Sequence, residues 1–279
     1  MDLSQFQTPN GFFAIAAFDH RASLAHSLDL NLQNSEHVSK FMTLKRLFMR
    51  VLSPHVSAVL TDPEYGIETL AEKAATAGLF LSLEESGYEG DKNAMTTLRD
   101  NWGIDGVKGK NAGAKLLMYF NSKSDTANQK ISLAQQLYQE AHDKKVPLFI
   151  EPLLHEMDGA KQWDKVGDDY WIDAHLDMCR SFAPLCDILK IQYPGNTVAC
   201  EEVSIVHENW VLLSRGDQYE LFQSHLKDAM AVGCKGFAAG RAVWQELTTL
   251  KTEAEWEAFL STTVIERLAE LEKLLVSTE

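Results

Sequence analysis

The chain is short of the features that define several large protein classes. Its four cysteines, Cys179, Cys186, Cys200 and Cys234, form no CxxC pair and no zinc-ligand spacing. They read as free thiols of a reducing compartment, neither a disulfide scaffold nor a zinc site. The nine histidines make no HxH or HExxH, so a catalytic metal has no support in the sequence. Positive charge is scarce: 26 Lys and Arg stand against 40 Asp and Glu, a net −14. That field repels nucleic-acid phosphates and argues against nucleic acid as a general partner. No apolar run approaches the length that spans a bilayer, and the opening MDLSQFQTPN has no basic n-region. The expectation is therefore a cytoplasmic protein without a membrane partner. No GxGxxG or GxxxxGK(S/T) follows an apolar run, which argues against a nucleotide-binding open sheet.

What the chain does have is a recurring unit, a short apolar run followed by a longer stretch of helical period. The runs are 12–18 (FFAIAAF), 56–60 (VSAVL), 78–83 (GLFLSL), 115–120 (KLLMYF), 146–150 (VPLFI), 187–191 (DILKI), 210–213 (WVLL) and 236–239 (GFAA). Helical spacing is clearest over 38–52, 132–144, 171–182 and 219–232. The connection 84–111 is long and rich in Gly and charge, as expected of a lid or active-site loop. An amphipathic, highly charged helix is expected over 253–276. About eight strands alternating with helices, in a chain of 279 residues, fit one α/β domain over 1–279, a (β/α)8 TIM barrel.

Chemistry in such a barrel sits at the carboxyl ends of the strands. Asp19, His20 and Arg21 follow the first run and DPEYG (62–66) the second. Lys115 opens the fourth, Glu151 ends the fifth and Lys190 lies inside the sixth. Lys190 is flanked by Ile188, Leu189 and Ile191. Burial lowers a lysine's pKa, and a neutral amine can attack a ketone carbonyl. The competing reading is a lysine that snorkels to solvent or pairs with a structural carboxylate. Lys115, placed alike, is expected to lower the pKa of Lys190 by like-charge repulsion, or else to be an ordinary strand lysine. Glu151 suits a proton shuttle with a raised pKa, or a lysine partner or helix cap. Asp19 either orients a lysine and substrate hydroxyls or caps the next helix.

LLSRGD and AAGR place Ser214, Arg215, Gly216, Gly240 and Arg241 after the last two runs. Small residues let backbone N–H groups approach an anion, and an arginine can bind it bidentately.

Taken in order, AFDHR (17–21), TDPEYG (61–66), KLLMYF, FIEPLL (149–154), DILKIQYP and AGRAVW (239–244) resemble the class I tagatose-1,6-bisphosphate aldolase family, itself similar to the sulfofructosephosphate aldolases. The resemblance runs from about residue 11 to 247, nearly the whole chain. It implies a Schiff-base lysine at Lys190, with Glu151, Lys115 and Asp19 as catalytic partners. It also implies phosphate contacts at Ser214, Gly216, Gly240 and Arg241, a sugar-phosphate substrate, and no metal or organic cofactor. The chain departs from the family at His20, where Gln is usual, and at Arg215, where a small residue is usual. His20, Arg21 and Arg215 are accordingly expected to contact the substrate. A cation at Arg215 suits phosphate or sulfonate there, unless it pairs with Asp217. The expected reaction is cleavage of a phosphorylated ketohexose to dihydroxyacetone phosphate and an aldehyde. The alternatives are a sulfofructosephosphate aldolase and, more remotely, a non-catalytic sugar-phosphate sensor. A homo-oligomer is compatible with all three.

Overall fold

The computed structural model describes residues 1–86, 91–156 and 168–275. Eight parallel strands close into a barrel in sequence order, and β1 pairs with β8 to complete it. They are β1 (Phe13–Ala17), β2 (Ala58–Thr61), β3 (Gly78–Ser82), β4 (Gly113–Phe120), β5 (Leu148–Leu154), β6 (Ile188–Ile191), β7 (Trp210–Leu213) and β8 (Gly236–Ala239). The helices are α1 (Ala22–Ser27), α2 (Ser35–Leu52), α3 (Ile104–Lys108), α4 (Ala127–Asp143), α5 (Asp169–Phe182), α6 (Thr197–Val206), α7 (Tyr219–Met230), α8 (Arg241–Trp244), α9 (Glu253–Phe259) and α10 (Ile265–Leu275). All eight expected strands are present. The fifth is displaced: it begins at Leu148, not 146, and runs through Pro152 to Leu154, so Glu151 lies within it. The expected final helix is α9 and α10 joined by a π-helical turn at Leu260–Val264; residue 276 lies outside the described residues. Among the described residues no helix is long and apolar enough to cross a membrane.

Both faces of each strand are buried, which is why the strands read as unbroken apolar runs. Alternation still sorts them. Phe13, Ile15 and Ala17 fill the barrel with Ala58, Leu60, Phe80, Phe149, Ile188, Val211 and Ala238, closed from below by Phe6, whose ring stacks on Phe80 at 4.3 Å. Ala14, Ala16, Val59, Leu79, Leu81 and Leu116 face outward into the shell against the helices. This period of two decides which polar side chains reach the barrel mouth.

Candidate active site

Counting in twos from the interior residues toward each strand's carboxyl end leads to the pocket. Ala17 leads to Asp19, Phe149 to Glu151, Ile188 to Lys190, and Val211 to Leu213. On β4 the inward set is Lys115, Leu117 and Tyr119, since Ala114, Leu116 and Met118 pack outward. Asp19, Lys115, Leu117, Tyr119, Glu151, Lys190 and Leu213 line one cavity of about 350 Å³, together with His20, Arg21, Glu84, Ser214, Arg215, Gly216, Gly240 and Arg241. Every site residue expected from the sequence is therefore brought to the same mouth.

At its floor lies a cluster of charges. Lys115, 1% exposed, donates to Asp19 Oδ2 at 2.8 Å and Glu84 Oε1 at 2.7 Å, and its Nζ is 3.1 Å from Glu151 Oε2. Lys190, 4% exposed, has its Nζ 3.0 Å from the same Glu151 oxygen. One carboxylate oxygen thus bridges two ammonium groups. Burial works to lower the pKa of Lys115, but Asp19, Glu151 and Glu84 outweigh it and hold the value well above the ordinary one. Burial likewise works to raise Asp19, and Lys115 and Lys190 keep it far below the usual carboxylate range.

Two expectations need correction here. Glu151 was expected to have a raised pKa. Burial does push it up, yet Lys115 and Lys190 prevail and the pKa is lowered. Lys115 was expected to act on Lys190 by bare repulsion; instead three carboxylates surround its charge. Asp62, noted as a strand-end group, is fully buried against Lys45 of α2 at 2.8 Å, away from the pocket wall.

Glu84 is the site residue that strand-end reasoning missed. It holds Lys115 with one oxygen, and with the other accepts the Leu117 N–H at 3.1 Å. Its own carbonyl accepts from Arg21 Nη2 at 2.7 Å. The signal was available: Glu84 continues the inward count from Phe80 through Ser82. Within the expected lid 84–111, residues 87–90 lie outside the described residues. The described remainder is tied down by a Glu84–Leu98 bridge, an Arg99–Glu64 ion pair at 2.9 Å and a Trp102 Nε1 bond to the Ser82 carbonyl at 3.0 Å.

The residues expected to bind an anion, Ser214, Arg215, Gly216, Gly240 and Arg241, line the same cavity. Arg215 has φ +44° and Gly216 φ +85°. A Cβ on Gly216 would stand 3.4 Å from Arg241 Cζ. That distance is ordinary van der Waals contact, so it is the left-handed backbone that favours glycine there. With the Gln192 amide oxygen turned toward it, Arg215 donates to Gln192 through Nε at 3.0 Å and through Nη1. Arg215 is thus held by Gln192. His20 stands edge-on to Trp244, with its Nδ1 3.9 Å from Asp19 Oδ1. Burial lowers the His20 pKa to about 4; Asp19 opposes this, while Arg241, Lys45 and Lys190 add to it. The imidazole is neutral near pH 7.

Comparison with known proteins decides the class. Residues 13–246 match the model of the DeoC/LacD family aldolases. The chain belongs to that family. It is an aldolase, a carbon–carbon lyase. It is 28% identical to tagatose 1,6-diphosphate aldolase 2 of Streptococcus mutans, over 99% of this chain and 94% of that one. Identity and coverage are the same for the tagatose 1,6-diphosphate aldolase of Lactococcus lactis. In fold this aldolase resembles an archaeal fructose-1,6-bisphosphate aldolase solved with its catalytic lysine bound to a carbinolamine. The TM-score is 0.65 at 15% identity, covering 97% of this chain and 96% of that one.

Proposed function

We propose that this aldolase is a cytoplasmic class I enzyme that forms a Schiff base at Lys190. Its substrate is tagatose 1,6-bisphosphate, cleaved to dihydroxyacetone phosphate and glyceraldehyde 3-phosphate. The observation that carries the assignment is the unequal surroundings of the two lysines. Lys115 has a carboxylate for each of its three donors and a raised pKa, so it remains an ammonium. Among the described residues, Lys190 has Glu151 as its one carboxylate contact, and that carboxylate can take its proton. The names of the bacterial relatives support the substrate.

The chemistry follows from this arrangement. Glu151 removes a proton from Lys190, and the freed amine attacks the ketone to give a carbinolamine. Glu151 returns the proton to the carbinolamine hydroxyl, which leaves as water, and an iminium remains. Glu151, again a carboxylate, takes the C4 hydroxyl proton. The C3–C4 bonding pair flows into the iminium and the aldehyde departs. The enamine recovers a proton at C3 from Glu151, and hydrolysis of the iminium frees dihydroxyacetone phosphate and the amine. Asp19 orients substrate hydroxyls and Lys115. Ser214, the backbone at Gly216 and Gly240, and Arg241 hold a phosphate, with His20, Arg21 and Arg215 around the rest of the substrate.

Arg215 supports a second reading. An exposed arginine on the pocket rim, held by Gln192, would serve a sulfonate as well as a phosphate, as in 6-deoxy-6-sulfofructose 1-phosphate. Borohydride reduction in the presence of dihydroxyacetone phosphate tests the chemistry, and should give a stable adduct on the peptide carrying Lys190. Parallel cleavage assays with tagatose 1,6-bisphosphate and the sulfosugar test the substrate. Binding of sugar phosphates without any adduct would overturn the Schiff-base role given to Lys190.

A further inference from the structure

We propose that Lys45, which lies outside the pocket wall, is a positioning residue that aims Asp19 at Lys115. The proposal rests on the reading of Asp19 as part of the aldolase site. Lys45 sits on the apolar stripe of α2 with Phe41, Leu44, Phe48 and Leu52, and its side chain is fully buried. An ammonium there must satisfy all three donors within the protein. It does so at three places: the Phe18 carbonyl, the His20 carbonyl at 2.8 Å and Asp62 Oδ2 at 2.8 Å. Asp62 is equally buried, and its other oxygen accepts the N–H groups of Glu64 at 3.0 Å and Tyr65 at 2.7 Å. The pair is closed at both ends.

The two carbonyls are those immediately before and after Asp19 in the chain. The Phe18 carbonyl belongs to the peptide that enters Asp19 and the His20 carbonyl to the one that leaves His20, so Lys45 clamps the chain on both sides of the Asp19–His20 pair and limits the directions open to the Asp19 Cα–Cβ bond. From that placement Asp19 Oδ2 reaches Lys115 Nζ at 2.8 Å. The segment is also tied upstream, where the Phe18 N–H meets the Leu60 carbonyl at 2.9 Å and Trp244 Nε1 the Ala17 carbonyl at 3.2 Å. The strand is thus fixed up to Phe18, and Lys45 extends that order across Asp19 to His20. Stability alone does not account for a lysine here. A buried ion pair can commonly be replaced by apolar residues of similar volume without loss, and the stripe around Lys45 is apolar already.

The test compares Asp62→Asn, Lys45→Met/Asp62→Asn, Asp19→Asn and the triple variant, assayed by cleavage of tagatose 1,6-bisphosphate. Asp62→Asn is the reference because it leaves the lysine and removes the charge that Lys45→Met alone would strand. Relative to it, Lys45→Met/Asp62→Asn should lower kcat about tenfold to a hundredfold, the scale of a misplacement near 1 Å, with KM within about twofold. Its melting temperature should stay within a few degrees. In the Asp19→Asn background the same change should lower kcat by less than about threefold, because the residue it positions has already lost its charge. Fully additive losses, or a kcat equal to that of the reference, would overturn the positioning role while leaving the site reading intact. Parent-like turnover in Asp19→Asn would overturn the role given to Asp19 itself, and the proposal with it.

Discussion

Lys190→Met separates the two lysines. Methionine is close to lysine in length and suits a site 4% exposed beside Ile188 and Phe149. The sequence alone argues for a nearly neutral change in stability. The bridging oxygen of Glu151 alters that, because losing Lys190 leaves this carboxylate to Lys115 at 3.1 Å. Removing one partner of a buried pair costs about 3–5 kcal/mol when nothing replaces it. With Lys115 retained, the cost should be nearer 1–3 kcal/mol. Chemistry should suffer far more. For Lys115 to serve as the amine it must give up charge-assisted bonds to Asp19, Glu84 and Glu151. At about 1.5–3 kcal/mol each, three such bonds add roughly 4.5–9 kcal/mol to the barrier. That corresponds to about three to seven orders of magnitude in rate. Steady-state cleavage, with mass spectrometry of the borohydride-reduced protein, reads both quantities. Turnover above a hundredth of the parent, or an adduct on Lys115, would refute the assignment.

Other perturbations probe the rest of the site. Lys115→Met leaves three carboxylates facing one ammonium, and should destabilise the fold by about 3–5 kcal/mol; calorimetry should show a melting midpoint lower by roughly 10 °C. Arg241→Ala should raise KM for the phosphorylated sugar about tenfold to a hundredfold with little change in kcat, reflecting loss of a charged contact worth about 1.5–3 kcal/mol. An unchanged KM would remove Arg241 from the cradle. His175 on α5 is fully buried, neither of its ring nitrogens has a hydrogen-bond partner among the described residues, and burial lowers its pKa from 6.5 to about 3. The unfolded ring binds its proton first, so stability is full above pH 6.5 and falls as pH drops toward 3, by about 2 kcal/mol at pH 5. Denaturant midpoints at pH 7.5 and pH 5 should therefore converge in His175→Leu.

The barrel was legible because strands buried on both faces stand out as apolar runs. Lys115, Glu151 and Lys190 were legible because a charge inside such a run has few places to go. The rest depended on facts that no local pattern carries. Glu84 looks like the first residue of a polar loop, and only the inward count from Phe80 turns it toward Lys115. Lys45 takes a core position on α2, but two of its three partners are backbone carbonyls, which leave no trace in composition. Gln192 shares the inward count of Lys190, and its contact with Arg215 depends on how β6 and β7 sit side by side. The direction of the Glu151 shift was misread for a similar reason. Burial can be inferred from neighbouring residues, whereas the number of cations within 3–4 Å depends on which strands converge.

That convergence bears on why this floor suits an iminium. Asp19, Glu84 and Glu151 together carry one more negative charge than Lys115 and Lys190 can neutralise. Lys115 absorbs most of the field and stays protonated, leaving Glu151 Oε2 beside Lys190. On the Schiff-base reading, the nitrogen of Lys190 is cationic as a resting ammonium, uncharged while it attacks, and cationic again as the iminium. A preformed carboxylate at 3.0 Å favours both charged states and needs no rearrangement between them. The cost falls on the neutral amine, which is reached only while Glu151 holds the proton. On that reading, the Glu151 oxygen that pairs with the resting lysine is also the base that frees it.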